Sequence, residues 1–182
     1  MTISVNIGNI VNEVKEGIIV QQVNAQGVMG SGVAKDIRDK WPVVWEEYSR
    51  IVVPYPGDRG ASVMGMMIPV QVDTNLWVCN VVGQQFYGRE PKKLRSGRYT
   101  SYDALADGLA KVNVFALENF ILEDGGWMHR PAIHFPLIGC GLGGGDWRIV
   151  SGLIEAQLSG FKKCLWVLRE SDKPEQFMQS GA

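Results

Sequence analysis

Residues 17–42 read GIIVQQVNAQGVMGSGVAKDIRDKWP. The stretch begins GIIVQQVN, whose Ile18, Ile19 and Val20 suit a buried strand. Then the period changes. Val33, Ile37 and Trp41 fall four apart, the spacing of one helix face, and Pro42 is expected to stop that helix. Between the two lies Gly27-Val-Met-Gly30-Ser-Gly32. A strand that passes through a glycine turn into a helix is the building unit of a parallel α/β sheet. Glycine lets the backbone approach a ligand closely, and the helix N-terminus that follows attracts an anion.

A second stretch repeats the arrangement. The apolar run AIHFPLI (132–138) leads into Gly139, Cys140, Gly141, Leu142, Gly143, Gly144 and Gly145, and then Asp146 and Trp147 open a helix over 147–159. Two such loops from neighbouring strands would grip a diphosphate from both sides; the structural alternative is that the glycines only make tight turns. Gly139, Gly141 and Gly144 also match the dinucleotide fingerprint G-x-G-x-x-G. That fingerprint needs further strand–helix units after it and an acid at the end of the next strand. Glu170 is the only acid so placed, and a dozen residues follow it, so the match is accidental. Neither loop is followed by the Gly-Lys-Ser/Thr of a P-loop.

The rest of the chain extends the pattern. Strands are expected at Ile3 to Ile7, at 62–71, at 76–82 (LWVCNVV) and at 164–169 (CLWVLR). Trp45 and Tyr48 suggest one or two more helical turns. A long helix from Tyr102 to Phe120 puts Tyr102, Leu105, Leu109, Val112 and Phe115 on one stripe, with Thr100 and Asp103 as its N-terminal cap. The order β-β-α-β-β-α-β-α-β with buried apolar strands indicates an α/β fold: a mixed, mostly parallel sheet with helices on both faces. Residues 1–170 make one domain, and 171–182 read as a loosely docked tail.

Composition agrees with a single core. The chain has 182 residues, 46 % of them hydrophobic, and a net charge of −1, so no global field draws it to nucleic acid or anionic lipid. Cys79, Cys140 and Cys164 lack paired spacing and read as free thiols in a reducing compartment. The opening MTISVNIGNIVNEV has neither the basic nor the apolar region of a signal peptide, and no run approaches a membrane span. A cytoplasmic protein without membrane contact is expected.

VNAQGVMGSGVAKDIRDKWP (23–42) together with FPLIGCGLGGGDW (135–147) resembles the macro domain family. The branch is that of ADP-ribose-1″-phosphate phosphatases, terminal ADP-ribose glycohydrolases and related bacterial and phage proteins. The resemblance runs from about residue 3 to residue 169. It implies a three-layer α/β/α sandwich that holds ADP-ribose, with the diphosphate between the two loops. No cofactor and no metal are expected. Carried over by position, Gly8, Asn9 and Ile10 lie where many members have Gly-Asp-Ile, whose acid receives the adenine amino group; here the Asn9 carbonyl would accept it. Asn24 matches the asparagine beside the distal ribose, or caps the loop that follows. Ala25, Gln26, Met29, Gly30, Ser31, Gly32, Val33 and Ala34 match the first phosphate loop, and the seven residues 139–145 match the second.

The catalytic positions carry over unevenly. The glycohydrolase branch has a lysine where this chain has Gly83-Gln84-Gln85 and an aspartate where it has Gly143, and the phosphatase branch often has a histidine where it has Gln21. Asp146 remains: either it caps the helix that it precedes, or it turns into the site as a general base. The resemblance thus implies removal of a 1″-phosphate or an ADP-ribosyl group, with Asp146 and Asn24 positioning water. The alternative is a module that binds ADP-ribose without turnover. Cys140 reads as a small packing thiol or, beside a helix N-terminus, as a thiolate. His129 and His134 lack the company of a ligand cluster. Arg89, Lys92, Lys93, Arg95 and Arg98 form either a solvated loop or a contact for a phosphate-rich substrate such as modified nucleic acid, with Phe86 and Tyr87 to stack on a base or to pack.

Overall fold

The strand read at 17–24 is β2 (Gly17–Asn24), and it lies inside a six-stranded sheet. The computed structural model describes residues 2–53, 57–88, 97–120 and 130–178. In chain order the other elements are β1 (Ser4–Ile7), α1 (Ile10–Glu13), α2 (Gly32–Lys40), α3 (Pro42–Val52), β3 (Met67–Asp73), β4 (Leu76–Gln84), α4 (Tyr102–Asn119), β5 (Ile133–Phe135), α5 (Trp147–Gln157) and β6 (Lys163–Val167). The sheet order is β1-β6-β5-β2-β4-β3. β3 runs antiparallel to β4, and every other neighbouring pair is parallel.

Alternation along the strands divides the apolar residues between two cores. Ile18 and Val20 of β2 face α4 and α5, where Leu105, Leu109, Val112, Val150 and Ile154 close one layer. Ile19 and Val23 face the opposite way, against Ile37 of α2 and Val44, Tyr48 and Val52 of α3. Helices cover both faces, so the fold is the three-layer α/β/α sandwich expected. Ile18 and Ile19 are fully buried, and truncating either to alanine removes about 2–5 kcal/mol of stability.

Several boundaries differ from the sequence reading. The first helix ends at Lys40, and Pro42 starts α3 instead of only stopping α2. Trp41 leaves the helical region (φ −130, ψ 81), since a residue before proline is disfavoured there, while proline suits the first helical position because its missing N–H is not needed there. α3 is eleven residues long, not one or two turns. The strand expected at 62–71 begins only at Met67: Ala61–Val63 form a 3-10 turn, and Gly65 at φ +76 breaks the chain before the strand. The cap of α4 is Ser101, whose side chain accepts from the Ala104 N–H, not Thr100. The short α1, capped by Asn9, was not foreseen, because four residues are too few for a helical period to register. After β6 the chain makes two further 3-10 turns, and Phe177 packs against the core.

Candidate functional site

β2 and β5 are parallel neighbours, so the loops leaving their C-terminal ends emerge on the same edge of the sheet. The first loop is held from below by Asn24. Asn24 is 6 % exposed, and its Oδ1 accepts from Gln26 N (3.0 Å), Val28 N (3.2 Å) and the Tyr48 hydroxyl (3.1 Å). Its Nδ2 donates to the Val28 carbonyl at 2.6 Å. The side chain therefore acts as the cap of the following loop, the structural alternative posed for it. Tyr48, buried in α3, completes the brace: its single hydroxyl proton is shared between the Asn24 backbone carbonyl and Asn24 Oδ1, and burial pushes its pKa up. Gln26 ties the loop outward, with Nε2 donating to the carbonyls of Arg59 (2.8 Å) and Gln85 (2.9 Å). Ala25 and Met29 are buried in the core beneath the loop.

The second loop turns on itself, with Gly144 N donating to Gly141 O at 3.0 Å and Gly145 N to Gly139 O at 2.9 Å. It is also clasped from the segment before α4. Tyr99 N and Thr100 N both donate to Gly143 O, at 2.9 and 3.1 Å, and Asp146 N donates to the Tyr102 hydroxyl at 2.9 Å.

The glycines of these loops serve two purposes. A Cβ at Gly143 would lie 2.6 Å from Gly139 O, one at Gly145 2.8 Å from the same oxygen, and one at Gly139 2.8 Å from Gln22 Oε1. These three are required by close packing. Gly30 and Gly141 are different. A Cβ at Gly141 would meet nothing within 4 Å, and at Gly30 only Val28 Cγ1 at 3.7 Å, and neither residue has a positive φ. Gly32 is also open, with φ +55. Packing explains neither Gly30 nor Gly141. Both lie beside unused donors: the N–H groups of Met29, Gly30 and Ser31, and of Gly141, Leu142 and Gly143, make no hydrogen bond with any described residue.

The two helix N-termini are also unlike. Ser31 makes no side-chain cap on α2, and the first turn of α2 carries no acid. The end of α2 is therefore open to an anion. α5 is closed by Asp146, whose Oδ1 accepts from Arg148 N at 2.9 Å. The same carboxylate also pairs with the Arg148 guanidinium, Oδ2 at 2.8 Å, and these hydrogen bonds hold its pKa below the usual carboxylate range. The cap role posed for Asp146 is thus present in the structure, and both of its oxygens are engaged.

The remaining residues fall around this centre. Gly8 and Asn9 lie between β1 and α1. Asn9 Oδ1 accepts from Val11 N at 2.9 Å, so the carbonyl expected to receive an adenine amino group is already capping α1. Asn9 Nδ2 donates to Asp36 on α2 at 3.4 Å, a carboxylate that sequence proximity gave no reason to place there. Ile10 is buried, and Val33 and Ala34 pack against the α2–α3 core. Leu142 is exposed at the second loop. The Cys140 thiol donates to Ile138 O at 3.3 Å; burial, and then the Asp146 charge, push its pKa up to about 12, so it is a packing thiol and not a thiolate. His134 accepts from Trp166 Nε1 at 3.0 Å and is a satisfied strand residue. Burial, with Lys162 nearby, brings its pKa down to about 4. Arg98 lies over the Tyr102 ring at 4.2 Å and donates to Thr100 O at 2.9 Å. Arg89, Lys92, Lys93, Arg95 and His129 lie outside the described residues. Tyr87 is exposed and Phe86 half-buried. Among the described residues, no group of three or more His, Cys, Asp or Glu side chains is placed to hold a metal ion, and no helix is long and apolar enough to cross a membrane.

No protein-family model and no curated protein matches the sequence. Solved structures do. A protein of unknown function from Bacteroides thetaiotaomicron aligns over 91 % of this chain and 98 % of its own, at 24 % identity and a TM-score of 0.72. A macrodomain protein from Streptomyces coelicolor aligns over 91 % and 98 %, at 24 % identity and a TM-score of 0.67. Thermosipho africanus DarTG, solved in complex with ADP-ribose, aligns over 88 % of this chain and 40 % of its own, at 17 % identity and a TM-score of 0.59. With the strand order, the two covered faces and the paired glycine loops, these likenesses establish the architecture: the chain has the macrodomain fold.

Proposed function

We propose that this protein binds ADP-ribose or a close derivative, with the diphosphate between the loop of residues 25–31 and the loop of residues 139–145. One observation carries the reading. Backbone donors in both loops make no hydrogen bond with any described residue, and they lie beside Gly30 and Gly141, the glycines that neither packing nor dihedral angle requires. A diphosphate supplies acceptor oxygens on both sides, and a missing Cβ is what close approach of a phosphate to backbone demands. The open N-terminus of α2 adds a favourable field for the charge. The complex of Thermosipho africanus DarTG with ADP-ribose, on the same fold, supports the choice of ligand. Calorimetry with ADP-ribose and AMP tests it. ADP-ribose binds much more tightly if two loops hold two phosphates, and equal affinities refute the arrangement.

Binding without turnover is the reading that the geometry supports best. Hydrolysis assigns to Asp146 and Asn24 the positioning of water. Yet Asn24 Oδ1 already accepts from two backbone N–H groups and shares the Tyr48 proton, and Arg148 occupies both oxygens of Asp146. A carboxylate held below its usual pKa is also a weak base. The hydrolytic reading is favoured by one fact, that Asp146 is an ionised carboxylate at the end of the second loop. Incubation with ADP-ribose-1″-phosphate and with ADP-ribosylated protein and DNA separates the two. Release of free ADP-ribose establishes turnover, and its absence with intact binding establishes a module.

A further inference from the structure

The second glycine loop stands on side chains that belong to no part of it. Thr100, 2 % exposed, donates its hydroxyl proton to Gly139 O at 2.7 Å. A hydroxyl has one proton, so Thr100 Oγ1 can only accept from Gln22, whose Nε2 lies at 3.0 Å. Gln22 Nε2 has a second N–H, and this donates to Gln84 Oε1 at 2.7 Å. Gln84 in turn donates from Nε2 to the Phe86 carbonyl at 2.9 Å. That carbonyl only accepts, which fixes the orientation of the Gln84 amide and hence of every bond in the chain. Glycines make room for it: a Cβ at Gly139 would lie 2.8 Å, and one at Gly83 2.6 Å, from Gln22 Oε1.

We propose that Thr100, oriented by Gln22 and Gln84, is a positioning residue for the second glycine loop: its hydroxyl fixes Gly139 and thereby the unused donors of Gly141, Leu142 and Gly143. Thr100 itself touches no ligand in this proposal. The inference rests on the diphosphate reading for its consequence, though not for its geometry. Among the described residues, the bond from Thr100 to Gly139 is the one side-chain hydrogen bond from outside the loop to a loop carbonyl, and both backbone bonds to Gly143 O come from Tyr99 and Thr100 as well. Removing the hydroxyl takes one of its two hydrogen bonds from Gly139 O, which keeps only Gly145 N, and leaves one Gln22 N–H without its acceptor in a part-buried place, so the loop gains the freedom to move off its seat.

The experiment compares wild type, Thr100→Val and Thr100→Ser by amide hydrogen exchange of the free protein and by calorimetry with ADP-ribose and with AMP. Valine copies the shape without the donor, and serine restores the donor. The expected result is exchange about 10-fold faster at the hydrogen-bonded amides of the loop, those of Cys140, Gly144, Gly145 and Asp146, in Thr100→Val with the rest of the chain unchanged, and ADP-ribose affinity about 10-fold lower, the size of one lost hydrogen bond. AMP affinity stays within about 2-fold, because AMP lacks the second phosphate, and Thr100→Ser behaves as wild type throughout. Unchanged exchange in Thr100→Val, acceleration spread over the whole chain, or failure of serine to restore the loop would each overturn the proposal. Should the valine variant not fold, Gln84→Met withdraws the acceptor at the other end of Gln22, and faster exchange confined to 139–146 is required of it instead. If wild type itself does not bind ADP-ribose, the functional reading falls while the exchange comparison still decides the role of Thr100.

Discussion

Gly141 and Gly143 lie two residues apart in one loop, and alanine at each is predicted to do opposite things. At Gly143 a methyl group would press on Thr100 Oγ1 and lie 2.6 Å from Gly139 O. Neither neighbour is the free end of a flexible side chain. Overpacking of this kind costs about 1–3 kcal/mol. For a domain of this size each kcal/mol lowers the melting temperature by about 2–4 °C, so Gly143→Ala should melt about 4–8 °C lower for a cost near the middle of that range. At Gly141 the same methyl meets nothing within 4 Å, and the residue does not have positive φ. Its stability should stay within about 0.5 kcal/mol of wild type, or rise slightly as the unfolded chain loses freedom. Binding reverses the order of severity relative to stability. In the proposed placement of the diphosphate the Gly141 methyl projects where a phosphate would approach the backbone, so ADP-ribose affinity should fall at least about 10-fold, equivalent to about 1.4 kcal/mol. The assay is a thermal melt and a calorimetric titration on both variants. A Gly141→Ala protein that binds like wild type refutes the placement of the diphosphate. A Gly143→Ala protein as stable as wild type refutes the argument that this glycine is there for packing.

Three other outcomes follow from the same geometry. Gly32→Glu puts a negative side chain at the open end of α2, where Cβ has room, so binding should collapse while the circular dichroism spectrum keeps its folded form; normal binding would show that the anion does not sit there. Asp146→Asn keeps the cap on Arg148 N and removes charge next to the phosphates, so the melting temperature should hold and ADP-ribose affinity hold or rise, whereas Asp146→Ala should melt measurably lower. If the wild type turns over a substrate and Asp146 is its base, Asp146→Asn should also slow single turnover by about 10²–10⁴-fold, and an unchanged rate leaves Asp146 a cap only. His134 has a folded pKa of about 4 against an ordinary value of 6.5. The unfolded chain therefore binds more protons between those values, and the stability due to neutral His134 is complete above pH 6.5 and lost as the pH falls toward 4. Allowing for the half-exposed ring, that loss is about 1–2 kcal/mol, and His134→Gln should show a smaller drop in melting temperature between pH 7 and pH 4.5.

Local signals in the chain were enough for the elements that define the fold. The apolar run of 18–20, the four-residue spacing of Val33, Ile37 and Trp41, and the stripe from Tyr102 to Phe115 each record which side of an element is buried. These signals placed β2, α2 and α4 within a residue or two of where they lie. The cap at Asp146 was legible for the same reason, because capping joins residues two apart. Both loops were legible as glycine patterns between a strand and a helix.

Periodicity says that a face is buried but not against what, so the order β1-β6-β5-β2-β4-β3 and the reversal of β3 belong to the tertiary structure. The roles of the amides were decided there too. The sequence offers Asn9 as a ligand contact and Asn24 as either a ligand contact or the cap of its loop, and the fold engages both carbonyls with backbone N–H groups. Thr100 was read as a helix cap, and it is instead buried under a loop that begins 39 residues later. An amide or hydroxyl carries the same donors and acceptors wherever it stands, and only the groups brought within about 3 Å of it determine which of them are used. The sequence alone determined where the two glycine loops lie along the chain. Only the packing of β2 beside β5 decided which of their glycines are held against the protein and which are left open.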